Sequence, residues 1–407
     1  MTTYAAAQQA AQSPDGTSLG HALARRIFQR IGCGRLTLTL PNGKSFHHDT
    51  GRGGPEAQFH IHRWRALRRL FLAGDIGFAE AYIDGDWDSP DVTALIELGA
   101  LSQDRLREAK EGTLPAKLFS RVRHAMNANT RAGSRRNIMR HYDLGNAFYE
   151  IWLDAGMNYS SAIFAEETEC LEQAQSRKQD RILDLLALRP GQSVLEIGCG
   201  WGGLAERIAA LGCRVTGLTL SPAQRSYAVT RLARAQLEDR AEILLRDYRD
   251  CDTVYDRIVS VEMIEAVGEL WWPRYFTTLR QNLASGGHVV LQAITIDESK
   301  FDAYRQGTDF IQRYVFPGGM LPSADVIRRQ AATAGMTADL VETFGGSYAR
   351  TLADWRARFE EAWPRIAALG FSEKFRRLWR YYLCYCEAGF RCRHINVGLW
   401  VLRPYEC

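Results

Sequence analysis

VLEIGCGWGGLAE, residues 194–206, decides the fold. Val194, Leu195 and Ile197 form a short apolar run that reads as a buried strand, a glycine-rich turn breaks it, and a helical pattern resumes at Leu204. Gly198 and Gly200 permit backbone conformations and close approaches that a Cβ forbids, so a ligand can lie against the main chain at a helix N-terminus. A glycine-rich turn alone is weak evidence, because several nucleotide-binding folds use one.

The pattern around this stretch supplies the context. SVLEIGCG (193–200), RVTGLTL (214–220), AEILLRD (241–247), YDRIVSVE (255–262) and GGHVVLQAI (286–294) read as strands. Between them LAERIAALG (204–212), SPAQRSYAVTRLARAQL (221–237) and WWPRYFTTLRQNLAS (271–285) carry apolar residues at helical spacing. Alternation of this kind predicts βαβ units in a doubly wound, Rossmann-like α/β sheet. Ligands of such sheets bind outside the carboxyl ends of the strands. That rule gathers Glu196, Thr219, Leu220, Gln224, Asp247 and Tyr248 around one pocket.

Upstream, residues 1–20 read as a flexible tail. RLTLTLPNGKSFHHD (35–49) reads as two strands around a Pro-Asn-Gly turn, and a helical pattern from Trp64 to Leu72, AYIDGDWDSPD (81–91) and DVTALIELGAL (91–101) complete a small α+β domain over 21–107. A charged linker over 108–136 then leads into a catalytic domain over 137–407. No internal repeat is present.

Composition bounds the possibilities. A chain of 407 residues with 46% hydrophobic content exceeds one compact domain and has enough apolar mass for two cores. No window approaches the roughly 18 apolar residues of a membrane span, and MTTYAAAQQA lacks the features of an export signal, which predicts a cytoplasmic protein. Its nine cysteines then read as reduced thiols. Cys384, Cys386, Cys392 and His394 are the one cluster to test for metal, but YYLCYCEAGFRCRH (381–394) reads more easily as a buried helix, so no metal is expected.

The net charge of +4 specifies no partner, yet the basic residues are unevenly placed. His60, His62, Arg63, Arg65, Arg68 and Arg69 crowd around Trp64, Leu67, Leu70 and Phe71, and a second run holds Lys117, Arg121, Arg123, Arg131, Arg135, Arg136 and Arg140. Both could face an anionic membrane surface, at about 1 kcal/mol per charge, or be solvated helix faces. No nucleic-acid module is evident, and nucleic acid is not expected as a partner.

Five further blocks carry a resemblance: IMRHYDLGNAFYEIWLDAGMNYSSAIF (138–164), DYRD (247–250), VSVEMIEAVG (259–268), YVFPGGMLPS (314–323) and FGGSYARTLADWRARFEEAWPRI (344–366). With the glycine motif, and in this order, they resemble the cyclopropane-fatty-acid synthases, class I methyltransferases that use S-adenosylmethionine on double bonds in membrane phospholipids. The resemblance implies cofactor contacts from Tyr159, Ser160, Glu196, Gly198, Gly200, Thr219, Leu220, Gln224, Asp247 and Tyr248. It also implies a homodimer associated peripherally with the inner face of the membrane.

Methylating an isolated alkene leaves a carbocation, which aromatic faces and carboxylates stabilise. Tyr142, Tyr159, Tyr314, Phe316, Tyr348 and Glu265 are candidate lining residues, with motif support for Glu265 and Tyr348. By the resemblance, a bicarbonate ion acts as base, held by a cysteine, a glutamate, a histidine, a tyrosine and an isoleucine backbone. Glu265, Ile294 and Tyr348 match that set. Ser161 stands at the cysteine position, Gln292 at the histidine position, and Ala266 replaces a further histidine.

Serine and glutamine still donate hydrogen bonds, so bicarbonate could remain and a ring could close. Loss of two anion ligands instead favours an open, methyl-branched or methylene chain. Methylation of a small amine, by a related catalytic domain, and a lipid-binding protein without chemistry are the competing functions.

Overall fold

The computed structural model describes residues 15–102 and 144–405, and the chain divides into two units, Met1–Thr113 and Leu114–Cys407. The linker and the second basic run, like Tyr142, lie outside the described residues.

In the N-terminal unit a helix, Asp15–Phe28, begins inside the stretch expected to be tail. Leu19, Leu23 and Ile27 recur at helical spacing there, a signal obscured by the alanine and glutamine run before it. Strands β1 (Arg35–Thr39), β2 (Ser45–Asp49), β3 (Glu56–Ile61) and β4 (Trp87–Asp88) form a sheet in the order β2-β1-β3-β4. β1 and β2 pair antiparallel around the Pro-Asn-Gly turn, where Gly43 takes a φ of 79°. The helix Arg65–Ile83 kinks at Gly74 (φ 58°, ψ −135°). Trp87 is fully buried, stacks on Phe78 at 4.2 Å and donates its indole N–H to the Phe78 carbonyl at 2.8 Å.

The first basic run is only partly free. The fully buried carboxylate of Asp86 pairs with Arg63 at 3.3 Å, Arg65 at 2.6 Å and Arg69 at 3.4 Å. A buried charge needs such partners. Three arginines read as a membrane-facing stripe therefore balance an internal carboxylate, while Arg68 is exposed.

In the C-terminal unit seven strands stand in the order β10-β11-β9-β8-β5-β6-β7. β5 (Ser193–Ile197), β6 (Arg214–Thr219), β7 (Ala241–Leu245), β8 (Tyr255–Val261) and β9 (Leu283–Ile296) are the expected strands, all joined in parallel. β10 (Met336–Thr343) and β11 (Ile395–Pro404) add an antiparallel edge. The doubly wound class I methyltransferase architecture is confirmed. Chain order reverses direction between β5 and β8, and the crevice outside a parallel sheet opens at such a switch point. Leu195, Ile197, Ile258, Val289, Leu291, Trp272 and Phe276 fill the core on which that edge rests.

Candidate active site

β5 delivers Glu196 and the glycine turn to the switch point. Gly198 (φ 84°) and Gly200 (φ 53°) both occupy the left-handed region. The amides of Gly198 and Cys199 donate to the Leu218 carbonyl at 3.0 and 2.9 Å, tying the turn to β6. No atom lies within 4 Å of the place where a Cβ on Gly200 would stand, so the turn borders open space.

At the end of β6 the Thr219 hydroxyl donates to Oε1 of Gln224 at 2.8 Å, and Leu220 follows. Ser221 caps the next helix by accepting from the Gln224 amide, with Pro222 in the first turn. Beyond β7, Asp247 is held by Arg249 at 2.6 Å, so its charge is balanced within the chain. Tyr248 is buried edge-on to Tyr275.

Tyr159 and Ser160 reach the same edge from the lead-in segment. The Tyr159 hydroxyl lies 2.9 Å from that of Tyr382, and its ring packs among Tyr149, Trp152 and Trp355. Buried Lys178 donates to the Ser160 hydroxyl at 2.7 Å. Burial pushes the Lys178 ammonium down to about 8 and the Glu196 carboxyl up to about 8, the latter opposed by the charge of Lys178. Glu196 Oε2 is buried without a partner. A left-handed glycine turn open to space, an orphaned carboxyl oxygen and the hydroxyls of Thr219 and Tyr248 at two strand ends fit S-adenosylmethionine.

Beside this crevice stands a residue to which the sequence assigned no role. Glu262 follows β8 directly, and its backbone is left-handed (φ 50°), which is uncommon for a residue with a side chain. Oε1 accepts from the Ser161 amide at 2.8 Å and from Nε2 of Gln292 at 2.7 Å, while Oε2 accepts from the Tyr348 hydroxyl at 2.6 Å. Three of the five expected catalytic residues, Ser161, Gln292 and Tyr348, are thus gathered around Glu262. Ser161 contributes its amide, its hydroxyl being turned to the Ala162 carbonyl. Tyr348 also stacks on Phe390 at 4.4 Å, which fixes its ring.

Glu265 lies one helical turn further on, its Oε1 accepting from the Ile294 amide at 2.5 Å and its Oε2 buried without a partner. Burial, and then the neighbouring charge of Glu262, push the Glu265 carboxyl up to about 8. Burial also raises Glu262, opposed by the hydrogen bonds from Tyr348, Ser161 and Gln292. Three donors against one favour the ionised form at Glu262 more than at Glu265. The signal for Glu262 was present in VSVEMIEAVG: an ionisable residue at the carboxyl end of a parallel strand. Glu265, three positions on, took the role because it matches the family motif.

The donors that the resemblance assigned to bicarbonate are engaged within the chain. Tyr348 and Gln292 bond Glu262, and the Ile294 amide bonds Glu265. Those residues do not fit a bound bicarbonate. Of the other candidates, Tyr314 packs on Phe310 and Phe316 on Tyr382, and Ala266 continues the short turn Ile264–Val267. Cys384 is buried on the helix Glu373–Arg391 that also carries Cys386, and Cys392 ends it. Among the described residues no group of three His, Cys, Asp or Glu side chains could hold a metal, and no helix is long and apolar enough to cross a membrane.

Residues 129–400 match the family model for mycolic acid cyclopropane synthetase. The chain is 41% identical over 392 residues to the tuberculostearic acid methyltransferase of Mycobacterium tuberculosis, covering 94% of this chain and 91% of that protein. It is 36% identical over 353 residues to the cyclopropane-fatty-acyl-phospholipid synthase of Escherichia coli, covering 86% and 87% of the two chains. Among solved structures, the mycolic acid cyclopropane synthase CmaA1 complexed with SAH and CTAB superposes with a TM-score of 0.62 at 30% identity, over 66% of this chain and 97% of that one.

Proposed function

Because the chain belongs to the mycolic acid cyclopropane synthetase family, we propose that it methylates a double bond in an unsaturated phospholipid acyl chain, leaving an open methyl-branched or methylene product. When bound, S-adenosylmethionine supplies an electrophilic methyl group on a sulfonium sulfur. The glycine turn at Gly198 and Gly200, with Glu196, Thr219, Gln224 and Tyr248 at neighbouring strand ends, holds it at the carboxyl edge of the sheet. Tyr159, partly exposed and backed by the buried rings of Trp152 and Trp355, gives an aromatic face to a developing cation.

One observation carries the choice of an open product: the donors that would hold a free bicarbonate are occupied by Glu262 and Glu265. Similarity over both units to a protein named for tuberculostearic acid supports it. In this reading Trp64 and Leu72, 44% and 74% exposed beside Arg68, give the N-terminal unit an amphipathic face for an anionic bilayer.

Incubation with methyl-labelled cofactor, vesicles of mixed unsaturated phospholipids and, separately, soluble amines tests the proposal. Labelled acyl chains that take up hydrogen, or carry a methyl branch, are expected by mass spectrometry. A ring adduct rejects the open product, and label in amines alone rejects the lipid substrate.

A further inference from the structure

We propose that the carboxylate of Glu262 is the base of this reaction, taking the proton from the transferred methyl group in place of a free anion. The inference rests on the methyl-transfer reading above. It starts from a count of lone pairs. A carboxylate offers about four acceptor positions, two on each oxygen. Oε1 uses both on the Ser161 amide and Gln292, whereas Oε2 accepts one bond, from Tyr348. Among the described residues one acceptor position is left, on Oε2.

Several features separate this arrangement from a structural ion cluster. The bonds to Glu262 come from the lead-in segment, from β9 and from the helix Gly345–Glu361, so three elements fix one side chain at the sheet edge where the ligand crevice opens. The residue is partly buried and stands at the carboxyl end of β8. Its backbone holds a left-handed conformation that a glycine would adopt without strain. Glu265 completes the device: its own carboxyl is tied to the Ile294 amide and sits in the field of Glu262. Two carboxyl groups with such different donor sets divide into one acid and one base.

The step balances without another reactant. The alkene π pair forms the new carbon–carbon bond as the sulfur–methyl bond breaks with its pair going to sulfur, and one positive charge remains on the neighbouring acyl carbon. A hydride shift from the methylated carbon moves that charge next to the methyl group. A methyl C–H pair then becomes the π bond of a methylene branch on the chain, and its proton goes to Oε2 of Glu262. Release of product returns that proton to water.

Bicarbonate dependence tests this directly. Wild-type protein is assayed on monounsaturated phospholipid vesicles in buffer stripped of carbon dioxide and again with added sodium bicarbonate, and equal rates within 2-fold are expected. E262Q, which keeps the side-chain volume, should lose at least 100-fold in methylated lipid while binding S-adenosylmethionine within 3-fold of wild type by calorimetry. E262G, which opens the space and relaxes the backbone, should gain thermal stability from added bicarbonate where wild type gains none, and bicarbonate should restore part of its turnover.

A wild-type rate that falls 10-fold or more without bicarbonate overturns the proposal, as does E262Q turning over at the wild-type rate. If wild type methylates no lipid at all, the reading of its substrate fails. The melting shifts of wild type and E262G with bicarbonate then still decide whether Glu262 fills the anion site.

Discussion

The Tyr348 hydroxyl donates to Oε2 of Glu262 across 2.6 Å, joining residues 86 positions apart in the chain. It ties the helix Gly345–Glu361 to the end of β8, beside the turn that holds the cofactor motif. The stack of Tyr348 on Phe390 holds the donor from behind. A fixed donor facing a carboxylate held on a left-handed backbone is the preorganised arrangement that charge development in a dry site requires.

Removing that donor should therefore weaken catalysis more than binding. A hydrogen bond to a charged group contributes about 1.5–3 kcal/mol, so Tyr348→Phe should lower kcat by about 10- to 100-fold. Its affinity for S-adenosylmethionine should change by less than about 3-fold, since Tyr348 does not touch the glycine turn. Steady-state kinetics with calorimetry on the same preparation checks both numbers.

Gly198→Ala should act in the opposite sense. The added Cβ would stand 2.3 Å from Cγ of Met263, and the backbone there has a φ of 84°. The left-handed conformation alone costs a residue with a side chain about 1–2 kcal/mol. A lower melting temperature and at least a 10-fold weaker cofactor affinity are expected. An unchanged binding isotherm would place the ligand elsewhere.

The buried Glu265 carboxyl predicts a pH dependence of stability. In the unfolded chain the group ionises near 4.5, and in the fold it keeps its proton up to about 8. Between those values the folded protein binds more protons than the unfolded one, so this contribution declines as pH rises, by up to about 1.4 kcal/mol per pH unit. Glu265→Gln, which resembles the protonated form, should remove that decline. Denaturant melts of both proteins from pH 5 to 8 should diverge in favour of the variant as pH increases.

In the N-terminal unit, Asp86→Asn removes the buried charge shared by Arg63, Arg65 and Arg69. Because the arginines keep contact with water, the loss should be about 1.5–3 kcal/mol, the range for hydrogen bonds to a charged group. The released positive charge should strengthen sedimentation with anionic vesicles, by roughly 1 kcal/mol for each arginine that reaches the surface. Weaker sedimentation by a folded variant would remove this helix from the membrane-facing surface.

The parallel sheet was legible because each of its five strands carries a short apolar cluster and ends in a polar or glycine-rich turn. β10 and β11 were not. β10, MTADLVET, mixes exposed charge with apolar residues, and β11 follows an aromatic helix with no turn signal of its own. Their assignment depends on β11 pairing with β9 and β10 with β11, long-range contacts that no local window contains. The basic run before the helix Arg65–Ile83 was visible as charge. Its neutralisation by Asp86 was not, since that carboxylate is buried only when β4 closes the sheet.

Sequence by itself determined the α/β class, the glycine turn at Gly198 and Gly200, and the residues at the ends of β5, β6 and β7, because these depend on short-range periodicity and on backbone freedom. Tertiary structure alone decided which carboxylate Ser161, Gln292 and Tyr348 surround. Hydrogen bonding is short-ranged and directional, so only the folded arrangement of four separate elements could reveal that Glu262, and not Glu265, stands at their centre.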